Sequence, residues 1–260
     1  MQYTRFLVLG DSFSEGMSDE IINGKYRGWA DRVADVLAAQ SPEFKYANFA
    51  IRGKLVKQVF EEQVPLALPL IDGPQTLVSF HAGANDALRP NFDRNIVRTA
   101  YVKAVTQLVQ TGGTILLFTV LEKNGNGGKA SAVWEERMSS FNSIVREVAD
   151  KFGLMVMDAS MDPQSSNPNL LAFDRLHLNT TGHYRVAHAV LERIGAPFDS
   201  GWKESAIASK KKSWIIRKAL TLLWFLTFAL PWIWRRIRGR SSGDGRSGKY
   251  TSLTSWPAAH

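Results

Sequence analysis

Five short apolar runs alternate with stretches whose apolar residues recur at helical spacing, and this alternation decides what the chain can fold into. The runs are about Thr4–Leu9, Phe44–Phe49, Thr76–His81, Thr114–Val120 and Leu154–Met157. Trp29, Val33, Val36 and Leu37 share a helix face before the second run. Val56, Val59 and Phe60 do so after it, and Val64-Pro65 is expected to end that helix. Ile96, Ala100, Val102, Val105, Leu108 and Val109 mark a long helix closed by Gly112-Gly113. Trp134, Met138, Phe141, Ile144, Val145 and Val148 mark the next. A last helix, with Thr180 as its N-cap, carries Val186, Val190 and Leu191. Strands and helices in alternation form a parallel sheet covered on both faces. The expected architecture is α/β, a three-layer α/β/α fold whose five-stranded parallel sheet has the flavodoxin-like order 2-1-3-4-5.

The chain of 260 residues is long enough for one sizeable core with some sequence left over, and its apolar share of 45% excludes wholesale disorder. It has no cysteine, which removes disulfides, thiolate metal sites and cysteine nucleophiles together and suits a reducing compartment. No secretory signal precedes the first strand, so a cytoplasmic location is expected. The net charge of +8 is unevenly placed. Residues 201–260 hold twelve Lys or Arg against two acidic residues, whereas residues 1–200 are close to neutral. The expected organisation is a body over 1–200 and a basic tail over 201–260.

Four pieces of sequence fall at strand ends or just before the last helix, where open α/β sheets bind ligands. Gly10-Asp11-Ser12 ends the first strand. Gly53 follows the second and can bring its backbone N–H close to a ligand. Asn85, in Gly83-Ala84-Asn85-Asp86, follows the third and offers a side-chain amide. Asp174-Arg175-Leu176-His177 precedes the last helix, with a carboxylate spaced to fold back on the histidine ring and leave Nε2 free to take a proton from a serine. Each piece alone is common; their order and placement give them weight. The Gly-rich run 124–128 after the fourth strand is a candidate rim of the same crevice, or a loop with no role.

Together these residues resemble the four sequence blocks of the SGNH, or GDSL, hydrolase superfamily, over about residues 4–195. Three stretches resemble a cytoplasmic bacterial branch of it: Tyr26–Arg32, Asn48–Lys54, and Asp174–Asn179 with Gly182-His183. The tail segment Arg235–Arg246 does so too. The resemblance implies a serine hydrolase acting on a small or lipid-derived acyl ester, with Ser12 as nucleophile, His177 as base and Asp174 as its orienting acid. It implies an oxyanion hole from the backbone N–H of Ser12 and Gly53 and the Asn85 side chain. A position at a helix N-terminus would further favour an anion at Ser12. Asp11 is read as a brace of the turn. Carbohydrate deacetylase and thioesterase activities share the fold and remain alternatives, and a short-chain ester is the default because the body carries no long lid insertion. No cofactor and no metal are expected, since His81, His183 and His188 lack the clustering of a metal site.

A second serine motif, Gly239-Arg240-Ser241-Ser242-Gly243, matches the Gly-x-Ser-x-Gly nucleophile elbow but lacks the strand before and helix after that an elbow needs. Trp29 is assigned to the core rather than to an acyl pocket. The tail holds an uncharged run, Ala219–Trp234, within an expected helix at about 213–238 that Pro231 interrupts. Lys210, Lys211, Lys212, Arg217 and Lys218 precede this run, and Arg235, Arg236, Arg238 and Arg240 follow it. Three placements are open to it: docking on the body, self-association, or an anionic membrane surface. Nucleic acid is not an expected partner, because the aromatic residues are massed rather than interleaved with the cations. The alternative from another functional class is a tail-driven membrane- or partner-binding protein whose hydrolase body is incidental.

Overall fold

The computed structural model describes residues 2–122, 129–205, 213–238 and 240–257. The run 124–128, a possible rim of the crevice on sequence grounds, lies outside them, as does Gly239. In chain order the body contains β1 (Arg5–Gly10), a single turn α1 (Ser12–Glu15), a small hairpin β2 (Ile21–Ile22) and β3 (Lys25–Tyr26), α2 (Gly28–Gln40) and β4 (Lys45–Asn48). Next come α3 (Val56–Gln58), a π-helical stretch (Val59–Gln63), α4 (Val64–Ala67), β5 (Thr76–His81), α5 (Ala84–Ala87) and α6 (Arg94–Gln110). The body ends with β6 (Thr114–Phe118), α7 (Lys129–Phe152), β7 (Met155–Met157) and α8 (Thr180–Arg193). The tail adds α9 (Trp214–Trp224), a second π-helical stretch (Phe225–Ala229), α10 (Leu230–Ile237) and β8 (Tyr250–Ser255).

The sheet order is β7-β6-β5-β1-β4-β8. The first five of these strands pair in parallel and follow the expected order. Among the described residues the sheet gains a sixth strand that was not expected: β8 pairs antiparallel along the free edge of β4, with a bulge between Tyr46 and Asn48. Tyr250-Thr-Ser-Leu-Thr-Ser shows too little apolar alternation to announce a strand. Its pairing is secured instead by what flanks it. Tyr250 and Trp256 pack on the Tyr46 ring at 5.7 and 4.9 Å. The Lys249 ammonium is buried against Asp31 at 2.7 Å and also donates to the Tyr26 and Arg27 carbonyls.

Alternate residues of the central strands feed two cores, as a pleated sheet requires. Leu7, Leu9, Val78, Phe80, Ile115 and Leu117 face α6, α7 and the segment 56–71. Phe6, Val8, Leu77, Leu116 and Phe118 face α2 and α8. Trp29 is fully buried in the second core, as expected, and its indole donates to the Phe13 carbonyl.

Neither Pro65 nor Pro231 ends its helix. Each is the second residue after a π-helical stretch, which Val64 N–H closes onto Val59 O and Leu230 N–H onto Phe225 O. A proline lacks an N–H and crowds the carbonyl four residues back; a widened turn just before it relieves both. At α8 the cap is Asn179, whose side chain accepts the Gly182 N–H, and Thr180 is the first helical residue.

Candidate active site

Ser12 stands at the carboxyl end of the central strand. The buried Gln63 side chain fixes the last residue of β1 from both sides: Gly10 N–H donates to Gln63 Oε1 at 2.8 Å, and Gln63 Nε2 donates to Gly10 O at 2.9 Å. Asp11 caps α1 by accepting the Phe13 N–H at 3.2 Å. Because α1 is one turn long and is closed by Gly16 in the left-handed region, the helix-dipole support expected at Ser12 is small.

The Asp174–His177 segment lies in a tight reversal closed by a bridge between Leu171 and Leu178. Arg175 takes a positive φ of 60° at its tip. The reversal points Asp174 and His177 back toward Ser12. His177 Nε2 lies 2.9 Å from Ser12 Oγ, and Nδ1 lies 2.7 Å from Asp174 Oδ2. Asp174 Oδ1 accepts the backbone N–H groups of Leu176 and His177 at 3.0 and 2.9 Å. Burial works against charge on this carboxyl, but the His177 ring and the two N–H donors outweigh it and hold its pKa below the ordinary value.

Gly53 lies in the loop after β4 with a φ of +75°, in the left-handed region. A Cβ on it would stand 2.2 Å from Ser241 Oγ, so both conformation and space require glycine. Glu15, at the end of α1, anchors this loop by accepting the Arg52 backbone N–H at 2.7 Å and its Nε at 3.0 Å. Asn85 lies in the first turn of α5, and its Nδ2 donates to Asp11 Oδ2 at 2.9 Å and to Lys54 O at 3.2 Å. Its neighbour Asp86 accepts the Val56 N–H at 2.9 Å. Burial pushes the Asp86 carboxyl up to about 6. Hydrogen bonds thus join the Ser12, Gly53 and Asn85 turns, and Ser12 meets His177 on the other side.

The crevice opens into a cavity of about 1130 Å³ lined by Ser12, Asn85 and His177. The tail helix lines it too. Leu220, Trp224, Phe228 and Trp232, spaced four residues apart, face it with Ala229. Trp224 Nε1 donates to the Asp174 carbonyl at 2.9 Å. The Arg175 guanidinium stacks over the Trp224 ring at 4.8 Å and donates to Thr221 Oγ1 at 2.9 Å.

The family model described as the GDSL-like lipase/acylhydrolase family matches residues 8–185. The chain belongs to that family. It is therefore an esterase or acylhydrolase by membership. Solved structures share the fold of this GDSL hydrolase. They include LAE5, an alpha/beta hydrolase enzyme from the metagenome of Lake Arreo, Spain, at 20% identity and TM-score 0.60 over 74% of this chain and 95% of that one. The psychrotrophic esterase EstA from a Pseudoalteromonas species is similar at 18% identity and TM-score 0.58, over 74% and 97%. Axe2, an acetylxylan esterase from Geobacillus stearothermophilus, is similar at 19% identity and TM-score 0.61, over 79% and 100%. No curated protein sequence matches the chain.

Of the site residues read from the sequence of this GDSL hydrolase, Ser12, Asn85, Asp174 and His177 line one crevice, whereas Gly53 lies in the adjoining loop, joined to Asn85 through Lys54 and covered by Ser241. The other histidines lie elsewhere or play other parts. His81 lines the cavity, with Nδ1 3.3 Å from Asp11 Oδ1 but out of hydrogen-bonding alignment. His183 is buried, donates to the Met17 carbonyl, and is held down to about 4 by that burial. His188 accepts the Asp199 N–H. Among the described residues, no group of three or more His, Asp or Glu is placed to hold a metal ion. Sequence reasoning missed Gln63, Glu15, Trp224 and Ser241. The first two carried no motif, and the last two lie in the tail, far along the chain from the residues they touch.

Proposed function

We propose that this GDSL hydrolase cleaves carboxylic esters through an acyl-enzyme on Ser12. The observation that carries the reading is the unbroken line from Ser12 Oγ to His177 Nε2 at 2.9 Å and from His177 Nδ1 to Asp174 Oδ2 at 2.7 Å. Ser12 Oγ attacks the ester carbonyl carbon while Nε2 takes its proton. The tetrahedral oxyanion collapses, the C–O bond to the alcohol breaks, and His177 returns the proton to the leaving oxygen. Water, deprotonated by His177, then releases the acid and restores Ser12. Asp174 stays ionised throughout, fixing the ring tautomer and balancing the imidazolium.

The backbone N–H groups of Ser12 and Gly53 and the Asn85 amide serve as oxyanion donors. Asn85 already spends its hydrogens on Asp11 and Lys54, and the longer of these, 3.2 Å to Lys54 O, is the one exchanged for the oxyanion. Loss of one such donor costs about 10²–10³ in turnover.

An acyl chain longer than acetyl suits the cavity. Its tail side is aromatic and aliphatic, through Leu220, Trp224, Phe228 and Trp232. The charged groups on its far wall are engaged with each other or with Arg146: Arg185 pairs with Asp162 at 2.7 Å, and Asp158 with Arg146 at 2.8 Å. This argues against a sugar-binding wall of the kind that a carbohydrate deacetylase needs. The test is hydrolysis of p-nitrophenyl acetate, butyrate and octanoate by the wild type and by Ser12→Ala. Turnover should rise with chain length and vanish in the variant; equal rates in the two proteins overturn the reading.

A further inference from the structure

The tail helix has two apolar faces, and the body uses only one. Leu220, Trp224 and Phe228 turn inward to the cavity. On the other side Leu222, Leu226 and Leu230, again four apart, are 60%, 52% and 47% exposed, with Leu223 and Phe225 beside them. Contiguous apolar surface of this kind is rare on a soluble protein unless something covers it.

Charge and aromatic placement indicate what covers it. No acidic residue occurs from 205 to 243. At each end of the helix a cation lies over an exposed tryptophan: Lys218 over Trp214 at 4.9 Å, and Arg238 over Trp234 at 4.4 Å. Tryptophans and basic groups bracketing an apolar stretch match the layered chemistry of a bilayer surface, where indoles sit among the headgroups and cations meet anionic lipid. By length and composition the 22 residues Trp214–Arg235 would also suffice to span a bilayer. Spanning would pull Trp224 off the Asp174 carbonyl and Arg175 off Thr221, so the contacts with the body favour a helix lying in the plane.

We propose that the tail helix Trp214–Ile237 seats the enzyme on an anionic membrane surface by its Leu222–Leu226–Leu230 face, while its Trp224–Phe228 face receives the acyl chain of a membrane-borne ester and leads it to Ser12. The inference rests on the esterase reading and adds the source of the substrate. The helix is at once the seat and one wall of the acyl site, so an acyl chain leaving the bilayer meets apolar surface on its way in.

The test uses the full chain and the double variant Leu222→Glu/Leu226→Glu, whose changes face away from the cavity. Flotation is measured with phosphatidylcholine vesicles, with and without phosphatidylglycerol. Turnover is measured on p-nitrophenyl acetate in solution and on a long-chain p-nitrophenyl ester carried in the vesicles. The wild type should float with the anionic vesicles. The variant should lose partitioning by about two orders of magnitude, the change expected when two leucines leave an apolar phase. Its activity on the vesicle-borne ester should fall in parallel while p-nitrophenyl acetate turnover is retained. A wild type that hydrolyses p-nitrophenyl acetate but stays in solution with both vesicle types overturns the membrane seat and leaves the esterase reading intact. So does a soluble dimer, detected by light scattering, that the double variant converts to a monomer. A wild type that floats yet turns over neither ester overturns the esterase reading instead.

Discussion

Ser241 Oγ donates to the Gly53 carbonyl oxygen at 3.2 Å, across 188 residues of chain. The serine that mimics a nucleophile elbow therefore serves a different purpose, holding the outer side of the peptide next to the Gly53 N–H. Its own turn is set by Ser241 N–H donating to Asp244 Oδ2 at 2.8 Å and by Gly243 N–H donating to Ser241 Oγ at 3.2 Å. Ser241→Ala is expected to lower kcat on p-nitrophenyl butyrate about tenfold with KM little changed. That is less than the roughly 10²–10³ lost with an oxyanion donor itself, because the donor remains but is less well aimed. Steady-state kinetics beside a thermal melt separate this from a folding defect, since one part-buried hydrogen bond is worth only about 1 kcal/mol.

Asp174→Asn should be far more damaging while leaving the fold intact. The amide can present its NH₂ to His177 Nδ1, which then carries no proton, and Nε2 becomes the protonated nitrogen facing Ser12. A base in the wrong tautomer costs about 10⁴ in turnover. Single-turnover acylation with p-nitrophenyl acetate checks this, with circular dichroism as the control for structure.

The Lys249–Asp31 pair is buried on both sides, and Tyr46 OH donates to the same Asp31 oxygen at 2.7 Å. Burial pushes Asp31 up and Lys249 down, and their mutual attraction opposes both shifts. Lys249→Ala strands a buried carboxylate and should cost about 3–5 kcal/mol in urea unfolding. Asp31→Asn placed in the same chain should return part of that loss.

Asp86 gives stability a distinct pH dependence. Its folded pKa of about 6 lies above the ordinary 3.8. Between these values the folded chain holds a proton that the unfolded chain has released. The Asp86 contribution to stability is therefore fully present below pH 3.8, falls as pH rises toward about 6, and levels off above, by about 3 kcal/mol in all. Asp86→Asn keeps an oxygen for the Val56 N–H and removes the charge. Its stability relative to wild type should rise from near parity at about pH 4 to a clear gain at about pH 8 in urea titrations.

The body was legible because its signals are local. Apolar runs such as Phe6–Leu9 and Phe80 with its neighbours can only be buried strands, and Ser12, Gly53, Asn85 and His177 each sit at an element boundary that periodicity reveals. The tail was not legible, because its structure comes from distant partners. Tyr250–Ser255 becomes a strand through β4 and the Tyr46 ring, not through its own pattern. The uncharged run Ala219–Trp234 announced a helix, but only contact with Asp174 and Arg175 gives it an inner and an outer side. The prolines misled for the opposite reason, since a local rule was overridden by π-helical turns that one sequence does not display.

β8 and the turn before it carry a consequence for biosynthesis. Ser12 is synthesised before them, with the central strand. The residues that brace Gly53 and close the β4 edge follow only after the rest of the sheet. A chain interrupted before them leaves Ser12 beside an unsupported Gly53 loop and an open sheet edge. A chain that stops short of residue 240 is therefore expected to hold Ser12 in a less well braced site.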